Sequence, residues 1–208
     1  MRKTGNVLMI LGAALLAAAL ALFAFNRTED TSAQEAVVEV MPQLVQNIRE
    51  QTAREETLPD ASQLQIPVEL LTEEDVKMEE LEVDGNGYVG YLRLPALGLE
   101  LPVLGDWSYR KLNIAPCRYT GSVRGENLVI MAHNYRSHFG KLSRLSLGDS
   151  VSFTDINGNT TAYEVVGKDI LEPTAVEEMT SGDFDLTLFT CTYGGRSRVT
   201  VYCDGIKE

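Results

Sequence analysis

An all-β domain carried behind an N-terminal apolar helix is the architecture this 208-residue sequence predicts. From about Gly85 onward, short stretches rich in Val, Leu, Tyr and Thr alternate apolar and polar residues between Gly, Asn, Asp and Pro turn signals. Helical periodicity is scarce there, so the pattern is that of a closed barrel or a sandwich. Ahead of it, Val7 to Phe25 is an unbroken apolar run of nineteen residues, about the length that crosses a bilayer core as a helix. Between the two, Asn26 to Asp84 holds 16 Asp+Glu against 4 Lys+Arg, whereas Gly85 to Glu208 holds 14 against 12. The net charge of −12 therefore belongs to a linker and not to the domain. The chain divides into a cytoplasmic N-terminus (1–6), a transmembrane anchor (7–25), an acidic stalk (26–84) and an extracellular domain (85–208).

Arg2 and Lys3 precede the apolar run and Glu29 and Asp30 follow it, which by the positive-inside rule leaves the N-terminus in the cytoplasm and exports the rest. A cleaved signal peptide is the rival reading, with Thr31-Ser32-Ala33 as a cleavage site. Its apolar core is normally about 7–15 residues, shorter than this run, and both readings export the domain. A strongly acidic tract with few aromatics reads as a solvated spacer, expected to be dispensable for chemistry. Within it Val37, Val38, Met41, Leu44, Val45 and Ile48 fall at helical spacing. They predict a short amphipathic helix that docks on the domain, pairs with another chain, or does neither. Pro59 to Pro67 reads as extended and Thr72-Glu73-Glu74-Asp75 as a helix start.

The domain opens on the turn Asp84-Gly85-Asn86-Gly87. Strands are expected at Tyr88–Pro95, Leu99–Leu104, Asn127–Ala132, Ser150–Thr154, Thr160–Leu171 (bent), Leu186–Cys191 and Ser197–Cys203, with a hairpin turn at Asp155–Asn159. The last two strands carry the chemistry. With Gly194-Gly195 as a two-residue loop, Tyr193 pairs with Arg196, Thr192 with Ser197 and Cys191 with Arg198. A thiol and a guanidinium then share one face of adjacent strands, with Cβ atoms about 4.5–5.5 Å apart. A cation there favours the thiolate and can hold a developing oxyanion. Upstream, Asn127-Leu128-Val129-Ile130-Met131-Ala132 is an apolar strand that ends on His133-Asn134. The other histidine, His138, sits among Arg136, Ser137, Phe139 and Gly140 in what reads as a surface loop.

These pieces together, Thr187-Leu188-Phe189-Thr190-Cys191 closing one strand, Arg198 opening the next and His133-Asn134 ending an earlier one, resemble the active-site signature of the sortases. The resemblance covers about Gly87 to Asp204. One departure is Ala132, where the family usually has Gly before the His. The resemblance implies an eight-stranded sortase-type β-barrel with a helix near Tyr109 to Ile114 and a groove on one face. It implies a cysteine transpeptidase with Cys191 as nucleophile, Arg198 on the oxyanion and His133 as acid, and Thr190 and Asn134 as substrate-binding residues. The partners implied are secreted proteins with a C-terminal sorting signal and, as acceptor, an amine of the cell wall or of another protein. The His133-Asn134 pair, the stalk and the anchor look most like class B, and the pilin-polymerising lid, Asp-Pro-aromatic, does not occur. The loop from Glu172 to Phe184 would line the groove.

Ordinary pKa values near 8.5 for a thiol and 6.5 for an imidazole leave the thiolate–imidazolium pair about 1% as populated as the neutral pair. Such a site either shifts those values or runs on a small competent fraction. Three cysteines are too few for a disulfide framework, and a Cys117–Cys203 bridge is not favoured. Neither Cys nor His falls at zinc-site spacing and the loop after His133 lacks acids, so no metal and no other cofactor is expected. The domain has no cationic excess, which disfavours nucleic acid as a partner. Against an L,D-transpeptidase stands the missing Ser-x-Gly-Cys-x-Arg pattern. Against a papain-like peptidase stands the order of His before Cys, and the last alternative is a tethered, non-catalytic binding module.

Overall fold

The computed structural model describes residues 2–55 and 77–206. The expectations for Pro59–Pro67 and for a helix start at Thr72 lie outside the described residues.

Among the described residues nine strands follow one long helix: α1 (Arg2–Glu55), β1 (Leu81–Val83), β2 (Asn86–Leu94), β3 (Leu99–Leu104), α2 (Tyr109–Leu112), β4 (Cys117–Thr120), β5 (Leu128–Ala132), β6 (Ser150–Asp155), β7 (Thr160–Leu171), α3 (Val176–Thr180), β8 (Leu186–Cys191) and β9 (Arg198–Gly205). The sheet runs β1-β2-β3-β4-β5-β8-β9-β7-β6, and β2 also pairs with β6. That second pairing closes β2 to β9 into an eight-stranded barrel and leaves β1 outside it. Closure brings Gly90 against β6, where a Cβ would stand 2.1 Å from the Thr154 carbonyl oxygen; its φ of 147° suits glycine as well,. Closure pairs β6 with β2, so that the edge left is the three-residue β1,.

Leu128, Ile130 and Ala132 of β5, Leu186 and Leu188 of β8, and Val201 and Cys203 of β9 point into the core with Phe139, Leu142, Phe153 and Tyr163. The alternate residues of β5, β8 and β9 therefore share the outer face. The expected bend in β7 is a bulge between Val165 and Gly167. The turn after β6 is held by Asp155, whose Oδ1 accepts from the amides of Asn157 and Asn159.

Two strands were not legible. β4 is short and breaks register between Arg118 and Thr120. β1 is three residues long and forms a hairpin with β2 through Asp84 (φ 49°) and Gly85 (φ 74°).

The helix foreseen at Val37–Ile48 is a fraction of α1, which continues without interruption from the apolar run into the stalk. Ala33, Val37, Val40, Leu44 and Ile48 are buried, at spacings of four, three, four and four that make one helical stripe. Val37 and Met41 join the main core. Val40, Leu44 and Ile48 join Val83, Tyr88, Leu104, Leu112, Ala115, Cys117 and Ile156 in a second cluster. Of the three options left open, docking on the barrel is the one observed.

Candidate active site

The ladder between β8 and β9 ends on the pair Cys191–Arg198. Beyond it the loop is wider than two glycines. The Thr192 amide donates to the Ser197 carbonyl (2.9 Å), and the Ser197 amide donates to Thr192 Oγ1 (3.0 Å). The Gly195 amide turns back to the Thr192 carbonyl (2.8 Å), with Gly194 at φ 87° and Gly195 at φ 72°. The Tyr193–Arg196 pairing does not form, so four residues make the loop. The innermost pair opens without shifting the register, so the faces are unchanged and Cys191 still stands across from Arg198,.

β5 runs parallel to β8 with Ala132 beside Thr190. One step further along each strand stand His133 and Cys191, on the outer face with Met131 and Phe189. His133, Cys191 and Arg198 thus gather at one end of three adjacent strands. The Arg198 Nη1 donates to the carbonyls of Gly195 and Ser197 (both 3.2 Å), which bends the guanidinium toward the turn.

Thr190 faces inward. It is buried, and its Oγ1 donates to the Ala132 carbonyl at 2.8 Å. Strand alternation points it into the barrel, so its side chain ties β5 to β8 directly before His133 and Cys191,. Asn134 is half-buried at the start of the loop that His133 opens.

That loop is compact. The His133 carbonyl accepts from the Phe139 amide (3.2 Å), and the Tyr135 carbonyl accepts from the amides of His138 (3.0 Å) and Gly140 (2.8 Å). A Cβ on Gly140 would lie 2.5 Å from the Asn134 carbonyl oxygen, so only glycine permits this fold-back. His138 is not the surface residue its loop suggested. It is 0% exposed, neither ring nitrogen has a hydrogen-bond partner, and Tyr135 lies between the two histidine rings (centroids 4.8 Å from His133 and 5.6 Å from His138). Burial, and then the neighbouring His133, push the His138 pKa down to about 4, against opposing pulls from Asp30 and the Ile114 backbone. Burial also lowers His133, while Glu29 acts in the opposite direction.

The three thiols separate by environment. Cys117 and Cys203 are buried and unbridged, in different core clusters, and burial raises each to about 12. Cys191 is the half-exposed one. Below it on the outer face, Val129, Met179 and Phe189 form a small apolar cluster with Tyr119, Met131 and Leu171. Met179 comes from α3 within the Glu172–Phe184 loop. Trp107 stacks on Tyr119 (5.8 Å), which meets Phe189 edge-on (5.5 Å).

Sequence reasoning did not find Glu29, Asp30 or Tyr135. The Tyr135 hydroxyl shares its one proton between Glu29 Oε2 (3.4 Å) and Asn113 Oδ1 (3.2 Å), and Asp30 Oδ1 accepts from both the amide (3.1 Å) and the hydroxyl (2.9 Å) of Ser137. The signal was present as a continuation of the α1 stripe, since 29 and 30 lie four and three residues before Ala33.

A barrel of this topology with a half-exposed thiol, an imidazole and a guanidinium at one strand end defines a class of cysteine acyl-transfer scaffold. A family model for the sortase domain matches residues 92–205, and the chain belongs to the sortase family of cysteine transpeptidases. Among solved structures it is similar to sortase C1 from Streptococcus suis, at 26% identity over 58% of this chain and 74% of that one (TM-score 0.50). It is also similar to sortase C from Clostridium perfringens SM101, at 21% over 90% and 99% (TM-score 0.50). Sortase C from Streptococcus pneumoniae matches at 22% over 84% and 97% (TM-score 0.53). These structures are class C enzymes, so the expected likeness to class B does not extend to them. A search of curated proteins finds no match.

Proposed function

We propose that Cys191, His133 and Arg198 are the catalytic residues of this sortase. The supporting observation is the Cys191–Arg198 pairing at the ladder's end with His133 emerging one residue beyond the Ala132–Thr190 pair. The Cys191 Sγ attacks the carbonyl carbon of a sorting-signal peptide bond, and the negative charge gathered on the oxygen faces Arg198. As the C–N bond breaks, His133 gives its proton to the departing amine and a thioester remains. An incoming amine then attacks the thioester, passes a proton to His133 and restores the thiolate.

Its substrates in this reading are secreted proteins bearing a C-terminal sorting signal, and the acceptor is an amine of the cell wall or of another protein. The α1 segment from Val7 onward is long and apolar enough to span a bilayer and serves as the anchor of a surface enzyme. Asn134, at the mouth of the site, contacts the sorting signal. Class B remains the reading of the His133-Asn134 pair and the stalk, whereas the similar structures carry class C names.

The full-length chain, incubated with a sorting-signal peptide library and an amine acceptor and followed by mass spectrometry, tests all of this. An acyl group on Cys191 and a transpeptidation product lost in Cys191→Ala are expected. Acylation of Cys117, or an active Cys191→Ala variant, would refute the assignment. The peptide accepted separates the two classes.

A further inference from the structure

The buried stripe of α1 changes character at its membrane end. Ala33, Val37, Val40, Leu44 and Ile48 lie against the barrel, and one turn earlier the same face presents Glu29 and Asp30, both half-buried. There they meet the His133 loop. Asp30 accepts two hydrogen bonds from Ser137, and Glu29 accepts one from Tyr135, whose ring lies 4.8 Å from that of His133. Neither carboxylate has a Lys or Arg ion-pair partner among the described residues. A carboxylate half-withdrawn from water near an imidazole, as Glu29 is near His133, favours a positive charge on that imidazole,.

We propose that Glu29 and Asp30 are positioning residues for His133: Asp30 fastens the loop that carries the imidazole, and Glu29 places a negative charge beside it, so that the anchor helix completes the active site. The proposal rests on the reading of His133 as the acid.

The groups around His133 are Glu29 and Asp30 of α1, Tyr135 and His138 of its own loop, Cys191 of β8 and Arg198 of β9. Burial lowers the His133 pKa and the Glu29 carboxylate raises it. When an imidazole titrates below its partner thiol, the acid limb of the rate profile follows the imidazole. The plateau follows the fraction present as thiolate–imidazolium. Loss of Glu29 therefore moves the acid limb to lower pH and reduces the plateau in the same proportion, tenfold for each full unit. A merely structural defect lowers the plateau without moving the limb.

The test uses the full-length chain in detergent micelles, with histidine ring resonances followed by NMR. The chain has two histidines, so His133 and His138 are told apart with one His138→Leu variant. Glu29→Gln is expected to lower the His133 midpoint by about half a pH unit or more and the plateau rate by about threefold or more. An unchanged midpoint overturns the role of Glu29. Asp30→Ala is expected to speed hydrogen exchange at the Ser137 amide and reduce kcat more than KM changes, while Asp30→Asn, which keeps an acceptor oxygen, restores both. Equal exchange in all three chains overturns the role of Asp30. An active His133→Ala variant would instead remove the catalytic reading of His133, and the NMR titration would still report whether Glu29 and His133 are coupled.

Discussion

Two arginines flank Ser197, and the loop geometry separates them. Arg196 is exposed at the tip, in a loop of four residues, while Arg198 opens β9 across from Cys191. A guanidinium facing the oxyanion contributes about 2.7–4 kcal/mol, on the order of a hundred- to thousand-fold in rate. Arg198→Ala is expected to cost at least that in kcat and Arg196→Ala less than about tenfold. Arg198→Lys should recover little, because one ammonium does not reproduce the planar fork. The reverse ranking in a peptide-turnover assay would dissociate Arg198 from the thiol. At the same scale His138 is a stability residue. Its pKa near 4 in the fold lies below the ordinary 6.5 of an unfolded chain, so the unfolded state binds more protons between those values. The stability is complete above about pH 6.5 and is lost as the pH falls toward 4. Denaturant titrations should show about 2 kcal/mol lost between pH 7 and pH 5, and His138→Leu should flatten that dependence. An unchanged pH slope in the variant would show that other groups set it.

Among the elements, α1 ties the stalk to the barrel. Leu44 is fully buried between barrel residues, and Leu44→Ala is expected to cost about 2–5 kcal/mol. A chain starting at Lys77 leaves that whole cluster uncovered. It should melt lower than the full chain and bind a hydrophobic dye, in contrast to the dispensable spacer that composition suggests. An equal melting temperature would return α1 to the role of a tether. The contrast with the strands is instructive. β3, β7 and β8 begin and end where alternation and turn residues put them, because a strand half-buried in a barrel writes its two faces directly into the sequence. β4 escaped because four residues with a register break carry no period. Cys191 and Arg198 were legible since their pairing depends on local register, and His133 since it ends an apolar strand. The inward face of Thr190 was not legible in a motif that names residues without giving their face. His138 was misplaced because its loop folds back over itself on Gly140, a contact between residues not in periodic order. Glu29 and Asp30 looked like the solvated start of an acidic stalk, and only the docking of the helix gives them partners.

At the scale of the molecule, the barrel end that carries His133 faces α1. α1 is continuous from Phe25, the last residue of the apolar run, to Glu29, and four residues of helix advance about 6 Å. The imidazole loop is therefore hydrogen-bonded to the helix within about one turn of where the apolar run ends. A spacer of many tens of residues would let the thiol sweep a wide volume of the envelope on a loose leash. The clamp on Tyr135 and Ser137 shortens that leash almost to nothing. With α1 in a bilayer and Cys191 as the nucleophile, as proposed, the reaction would be confined to a thin shell above the head groups. On that reading a polypeptide still held in the same membrane would reach the thiol by gliding in two dimensions, whereas one already released into the wall space would have to come back down to the surface to be used.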